Sequence, residues 1–267
     1  MLRWMIATTL LTFVLGCATN PSGRSAFILI DDASMNQMGA TAFTELKGKS
    51  TLSNDRAQQA YARCVSEKLI AEMPEQWRRL SWEVVVFDDA SPNAFALPGG
   101  KVGVHTGLFQ VAKTEDQLAA VIGHELAHVW SRHGAERVSQ QFAAQSALAA
   151  VEAYGNSQGS QNTSTAMALI GLGAQVGVLL PFSRKHESEA DFLGQDLMAN
   201  AGYDPAAASA LWANMRQLSG SRSPEFMSTH PDPQRREQTL AERARSPELQ
   251  ARLAAAQAAG KGPGCRR

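Results

Sequence analysis

Two histidines four residues apart, with a glutamate beside the first, stand in the run Val121-Ile122-Gly123-His124-Glu125-Leu126-Ala127-His128-Val129. On an α-helix, positions four apart differ by about 40° around the axis and about 6 Å along it. His124 and His128 therefore project from one face, close enough to grip a single metal ion, with Glu125 next to them. Two neutral imidazoles and an adjacent carboxylate are the minimal parts of a zinc centre that activates water. The bland alternative is a helix that carries two surface histidines by accident.

A zinc ion that does chemistry needs three protein ligands and one open position. Downstream, the block Ser183-Arg184-Lys185-His186-Glu187-Ser188-Glu189-Ala190-Asp191 offers Glu187 and Asp191, four apart and so on one helical face. One can reach the ion while the other orients a ligating histidine through its second ring nitrogen. Alone, such a pair is usually a solvated acidic face. Glu189 lies about 200° round the helix from Glu187, on the opposite side. His133 points about 140° away from His128, a poor direction for the same ion. His105 and His186 read as surface or packing residues.

The elements that must hold these groups are legible in part. Thr114-Glu115-Asp116-Gln117 is a capping box with an acidic first turn, so the helix carrying both histidines begins there and runs to about Arg132. A helical pattern resumes from Val138 to Val151. Upstream, Asp32 to Lys47 predicts one helix, and Asn54 or Asp55 opens a stronger one to about Met73. Trp82 to Phe87 is β-branched and aromatic, a strand. Asn93 to Gly100 reads as a loop, and Lys101 to His105 as a second strand whose backbone can pair with an extended substrate. Ser183 starts a helix ending near Gly202. Asp204-Pro205, Asp232-Pro233 and Ser246-Pro247 each set an N-cap residue before proline, predicting three more helices.

Residues 155 to 165 are small and polar and are expected to be mobile. The apolar stretch 166 to 180 is too short for a comfortable membrane span; it reads as buried packing, with membrane or client contact as the alternative. The two could together form a lid.

The ends of the chain bear on location. Arg3 precedes an apolar stretch, Trp4 to Leu15, that leads into Gly16-Cys17, the layout of a secretory signal. Val14-Leu15-Gly16-Cys17 resembles the lipobox of bacterial lipoproteins, which implies lipidation of Cys17; Leu15 is a less common choice there. By the same resemblance, Ala18 favours the outer membrane. Removing 1–16 leaves 251 of the 267 residues, enough for one good-sized core or two small ones. With 25 basic and 25 acidic residues the charges balance, which argues against nucleic acid as a partner. An oxidising compartment permits a Cys64–Cys265 disulfide. Equally, Cys64 reads as a small buried hydrophobe on a helix face with Tyr61, Val65 and Leu69.

Taken together, the chain resembles the zinc metallopeptidases of family M-forty-eight, in its lipoprotein branch of BepA-like and LoiP-like periplasmic proteases. The blocks that carry this are Asn20-Pro21-Ser22-Gly23-Arg24-Ser25, the run Asn93 to Gly100, His124-Glu125-Leu126-Ala127-His128 continued by Arg132 to Arg137, Glu187 to Asp191, and Ser228-Thr229-His230-Pro231. They cover most of the mature chain in the family order; Leu97 departs from the loop pattern. The resemblance implies an α+β, mostly helical, zincin-like domain with an active-site helix and a small sheet.

It also implies one zinc ion held by His124, His128 and Glu187, with Glu125 as the base for the attacking water and Asp191 behind a ligating histidine. Asn93, Gly99 and Gly100 are the implied substrate-binding positions. His230 stays open between three roles: a turn residue, a group that covers the fourth metal position, and a donor to the oxyanion. Arg235 or Arg236 could be a positioning cation, although most helix-surface arginines are solvated.

The expected division is a signal peptide at 1–16, a lipidated tether at 17–30, a peptidase domain at 31–250 and a helix end with a flexible tail at 251–267. The expected function is a zinc endopeptidase on the periplasmic face of the outer membrane, tethered there by its lipid. It would cleave misfolded or unassembled envelope proteins, with the outer-membrane assembly machinery as a further partner. The alternative is a chaperone-like assembly factor for outer-membrane proteins, with a plugged or largely structural zinc site.

Overall fold

The computed structural model describes residues 17–157, 183–218 and 233–266. In chain order these hold β1 (Cys17–Thr19), β2 (Ser25–Phe27), α1 (Asp32–Lys49), α2 (Arg56–Ile70), α3 (Glu75–Arg78), β3 (Glu83–Phe87), β4 (Ala94–Leu97) and β5 (Lys101–His105). There follow α4 (Leu108–Val111), α5 (Glu115–Trp130), α6 (His133–Ser157), α7 (Arg184–Asn200), α8 (Ala207–Leu218), α9 (Pro233–Ala244) and α10 (Pro247–Ala258). The expected α+β, mostly helical architecture with a small sheet is what forms. Among the described residues, no helix is long and apolar enough to cross a membrane. The expected mobile loop and the apolar stretch after it lie almost wholly outside the described residues, and so does the lid they were expected to form.

The chain divides into two units. One joins the residues before Met35 to those from Arg132 onward through α6. Here β1 and β2 make an antiparallel hairpin within the stretch expected as a tether, with Cys17 opposite Phe27. Its turn is built by Asn20, whose side-chain Oδ1 accepts from the Ser22 hydroxyl and the Arg24 amide, both at 2.8 Å. Arg24 then forks onto Glu136 of α6 at 2.9 and 2.7 Å, and the Leu29 amide donates to Ser139 at 2.8 Å. Two sequence blocks more than a hundred residues apart are thus one interaction, in which a planar guanidinium meets both oxygens of a mostly buried carboxylate.

The second unit holds the rest of the described chain, including most of α1. Its sheet has the order β3-β5-β4, with β3 parallel to β5 and β4 antiparallel to it. Two expectations change here. The run Asn93 to Gly100 contains a strand, and β5 is the central strand, hydrogen-bonded on both sides. It therefore has no free edge to offer a substrate. Alanine and the Pro98-Gly99-Gly100 turn are poor strand signals, so β4 hid inside what reads as a loop. Gly99 and Gly100, at φ of +83° and +77°, supply the left-handed backbone that reverses the chain between β4 and β5. The outer edge of β3 is already engaged: Ser53 and Asp88 amides pair with the Val86 and Thr51 carbonyls, both at 2.9 Å. β4 is the edge strand nearest α5.

Helix α5 runs through the middle of the core. Leu118, Ile122 and Leu126 are fully buried among Val65 and Leu69 of α2, Leu197 and Met198 of α7, and Leu211 and Met215 of α8. Such burial of a whole helix surface, rather than one stripe, explains why its sequence is apolar nearly all round. The caps act as expected: Thr114 accepts from the Gln117 amide at 3.2 Å, and Asp55, Ser183 and Ser246 each accept from an amide in the first turn of their helices. After Asp204-Pro205, however, α8 begins at Ala207, because the Asp204 carboxylate accepts from Ala206 and holds a turn first.

Of the two readings for the cysteines, the disulfide is the one formed, between Cys64 of α2 and Cys265. Glu115, in the first turn of α5, ties that tail down. One of its oxygens accepts from the Gly264 and Cys265 amides at 2.8 and 2.9 Å, and the other accepts from the Tyr203 hydroxyl at 2.7 Å.

Candidate metal centre

Helices α5 and α7 touch where each has a glycine. A Cβ on Gly194 would stand 3.0 Å from the His124 amide nitrogen, and one on Gly123 would stand 3.2 Å from the Gly194 carbonyl oxygen. This backbone-to-backbone approach is what lets short side chains from the two helices meet.

They meet as follows. His124 Nε2 and His128 Nε2 are 3.0 Å apart. Glu187 Oε2 lies 3.4 Å from the first, and Oε1 lies 3.5 Å from the second. All three residues are buried. Ligands at 2.0–2.1 Å around a tetrahedral ion stand about 3.3 Å from one another; with one oxygen taken from Glu187, the three donor atoms lie within 4.8 Å of one another, close enough to share one small ion. The donor set itself, two imidazoles and a carboxylate, suits a borderline-soft divalent cation. Among the described residues, this is the cluster of histidine and acidic groups able to hold a metal.

Behind these three donors sits a charged layer. Asp191 Oδ1 is 3.1 Å from His124 Nδ1. With Asp191 accepting the Nδ1 proton, the lone pair of Nε2 faces His128 and Glu187. Arg236 of α9 donates through Nε and Nη2 to the two oxygens of Asp191, at 2.7 and 2.6 Å, and its Nη1 forms an ion pair with Glu187 Oε2 at 2.7 Å. Its Nη2 is also 3.3 Å from His124 Nδ1; since both groups carry protons there, that contact is packing. The guanidinium carbon lies 4.3 Å from the centre of the Trp212 ring of α8, a cation–π stack that covers its other side.

These neighbours set the protonation of the metal-free site. Burial opposes a charge on His124, but the Asp191 and Glu187 carboxylates outweigh it and raise its pKa to about 9. Burial pushes Asp191 up, and the Arg236 guanidinium and His124 more than offset that, leaving it below the usual carboxylate range. Without metal, the site is an alternation of His124 cation, two carboxylates and an arginine.

Of the residues singled out in the sequence, His124, Glu125, His128, Glu187 and Asp191 are brought together, all buried on α5 and α7. Glu189 is half-exposed. Asn93 and Gly99-Gly100 flank the two ends of β4; the Asn93 carbonyl accepts from the His105 amide at 2.9 Å. His105 pairs with Ser91 at 2.8 Å, and His133 and His186 are buried. Cys17 belongs to the first strand of the other unit. His230 lies outside the described residues.

The residue that sequence reasoning left undecided is Arg236. Its signal was helical periodicity: Arg236, Leu240 and Ala244 recur every four positions and are all buried, whereas Arg235 is exposed.

Comparison with known proteins supplies the lineage. The pattern of Peptidase family M48 matches residues 56–244, which include both histidines, Glu187, Asp191 and Arg236. The chain is 42% identical over 159 residues to the mitochondrial metalloendopeptidase OMA1 of Schizosaccharomyces pombe, covering 59% of this chain and 45% of that protein. It is 28% identical over 223 residues to the beta-barrel assembly-enhancing protease of Escherichia coli, covering 80% of this chain and 44% of that one. The chain thus spans less than half the length of these curated relatives. Its His124–His128–Glu187 cluster fits the HExxH-plus-glutamate site of a metallopeptidase, and the chain belongs to Peptidase family M48.

Proposed function

We propose that the chain is a zinc endopeptidase of the bacterial envelope, anchored to the periplasmic face of the outer membrane through a lipid on Cys17, that cleaves misfolded or unassembled envelope proteins. The observation that carries the enzymatic part is a buried three-donor cluster whose separations fit one ion, with Glu125 adjacent to a ligand on the same helix. A purely structural site has no use for that carboxylate.

In this reading His124, His128 and Glu187 hold the zinc ion, which when bound supplies Lewis acidity to the scissile carbonyl. Glu125 takes a proton from the attacking water and passes it to the departing amine. Asp191 keeps His124 in the tautomer that presents Nε2. The edge of β4 offers backbone groups to an extended chain, which favours unfolded segments and makes few demands on their sequence; Asn93, Gly99 and Gly100 are the proposed substrate contacts at its ends. His230 is a further proposed active-site group. His230→Ala raises activity if the imidazole covers the metal and lowers it if it steadies the oxyanion.

The envelope setting is supported by the signal-like segment ending at Cys17 and by the relative named a beta-barrel assembly-enhancing protease. On the same reading residues 1–16 are removed, 17–30 link lipid to enzyme, 31–250 form the peptidase domain and 251–267 are a helix end and tail. Casein degradation with and without chelator, repeated on Glu125→Gln, tests the activity: the variant should keep its metal and lose cleavage, and retained cleavage refutes the assignment. Globomycin tests the anchor, since no build-up of an unprocessed precursor rules out the lipoprotein.

A further inference from the structure

We infer that Gln195 is a positioning residue of the metal centre: its side-chain amide holds α9 and the turn before α8 against α7, so that the Arg236 fork stays on Asp191 and Asp191 stays on His124. The inference deepens the metallopeptidase reading and rests on it.

Three observations carry it. First, Gln195 is buried at 1% exposure, and its amide joins three parts of the fold. Nε2 donates to the Leu240 carbonyl of α9 at 3.0 Å and to the Pro205 carbonyl, just before α8, at 3.1 Å. Oε1 accepts from Arg243 of α9 at 3.3 Å. Carbonyl oxygens only accept, so the two of them fix which end of the amide faces them.

Second, these contacts fall in register with the charged layer. Asp191 and Gln195 are four apart on α7, and Arg236 and Leu240 are four apart on α9, so each pair lies along one helix face. The two helices are therefore joined by two successive rungs: Arg236 on Asp191 at 2.7 and 2.6 Å, then Gln195 on Leu240. Arg243 also reaches Asp196 at 2.9 Å, but that pair lies partly in solvent and holds the helices less firmly.

Third, the bond to Pro205 reaches the other support of the arginine. Pro205 precedes α8, whose Trp212 ring lies 4.3 Å from the guanidinium carbon. One amide thus ties down both the helix that carries Arg236 and the turn leading into the helix that backs it. Through Nε and Nη2 the guanidinium holds both oxygens of Asp191, and Asp191 faces His124 Nδ1 at 3.1 Å. An apolar side chain of the same size fills the space of Gln195 but supplies neither donor.

The test is a double-mutant cycle on the full-length protein, stripped of metal and refilled, with zinc affinity read by chelator competition. Gln195→Met removes both donors at similar volume, and Arg236→Gln removes the fork. Arg236→Gln should lose about 10–100-fold in zinc affinity, and Gln195→Met, one contact further from the ion, about 3–10-fold. The double variant should lose no more than Arg236→Gln alone, because Gln195 acts through Arg236. Losses that multiply in the double variant overturn the inference, since Gln195 would then act on the fold independently of Arg236. Unchanged affinity in Gln195→Met overturns it too. Should Gln195→Met fail to fold, Gln195→Asn, one methylene too short to reach both carbonyls, takes its place under the same criteria. Arg236→Lys, which keeps the charge without the fork, does so for Arg236→Gln. Failure of the wild type to bind zinc would instead overturn the metallopeptidase reading itself.

Discussion

Metal uptake by this site should cost a proton, and the structure says how steeply. His124 has a pKa raised to about 9 in the metal-free protein, held there by Asp191 and Glu187 against its burial. At pH 7 about one molecule in a hundred then carries the neutral ring that can bind an ion, which weakens apparent affinity by about 2.7 kcal/mol. Affinity should rise about tenfold per pH unit between pH 7 and 9 and level off above. Calorimetry at pH 7 in two buffers of different ionisation enthalpy counts the protons released, and chelator competition across the pH range gives the slope. Asp191→Asn removes the nearer carboxylate, so it should release fewer protons at pH 7 than wild type. Protons lost from water at the ion are common to both proteins and cancel. Folding stability has the matching sign: for a raised pKa, the gain is complete below the unfolded value of about 6.5 and is lost as pH climbs through about 9. The metal-free protein should therefore weaken by up to about 3 kcal/mol over that window. A flat affinity profile from pH 7 to 9, with equal proton release in both proteins, would refute the reasoning.

Three further outcomes follow from the packing around the site. Replacing Cys64 and Cys265 by alanine opens a loop with a sequence separation of 201 residues; chain entropy puts the loss at about 5 kcal/mol, read as a lower urea midpoint of the metal-free protein. An unmoved midpoint would mean that the tail contacts with Glu115 suffice without the bond. Gly194→Ala places a methyl group against backbone of α5 at 3.0–3.2 Å. It should destabilise by about 1–3 kcal/mol and lower zinc affinity by moving Glu187 and Asp191 together; wild-type affinity in this variant would show that the helices have slack. Glu187→Ala should lose zinc while Glu189→Ala keeps it, and the reverse pattern would reassign the third ligand.

The parts of the site legible in sequence share one property: their geometry is local to a helix. The four-residue spacings of His124 with His128 and of Glu187 with Asp191 fix a common face before any tertiary structure exists, and the caps at Thr114 and Ser183 fix where each helix starts. What was not legible depends on contacts between elements. The strand β4 is defined by its partner β5 rather than by its own alanines, so Ala94–Leu97 read as loop and the wrong strand was given the sheet edge. The hairpin of Cys17–Phe27 exists through its Asn20 turn and the Arg24–Glu136 pair, the second joining residues 112 apart. Arg236 lies between these cases. Its position on the buried face of α9 could be read from Leu240 and Ala244, but what a buried arginine does depends on which carboxylates face it. Two of them come from α7, where Gly194 lets the helix lie against α5. The three candidate donors and their arginine are therefore one assembly with two kinds of specification: spacing selects the donors, and the glycine contact between α5 and α7 sets how closely they and the arginine can converge.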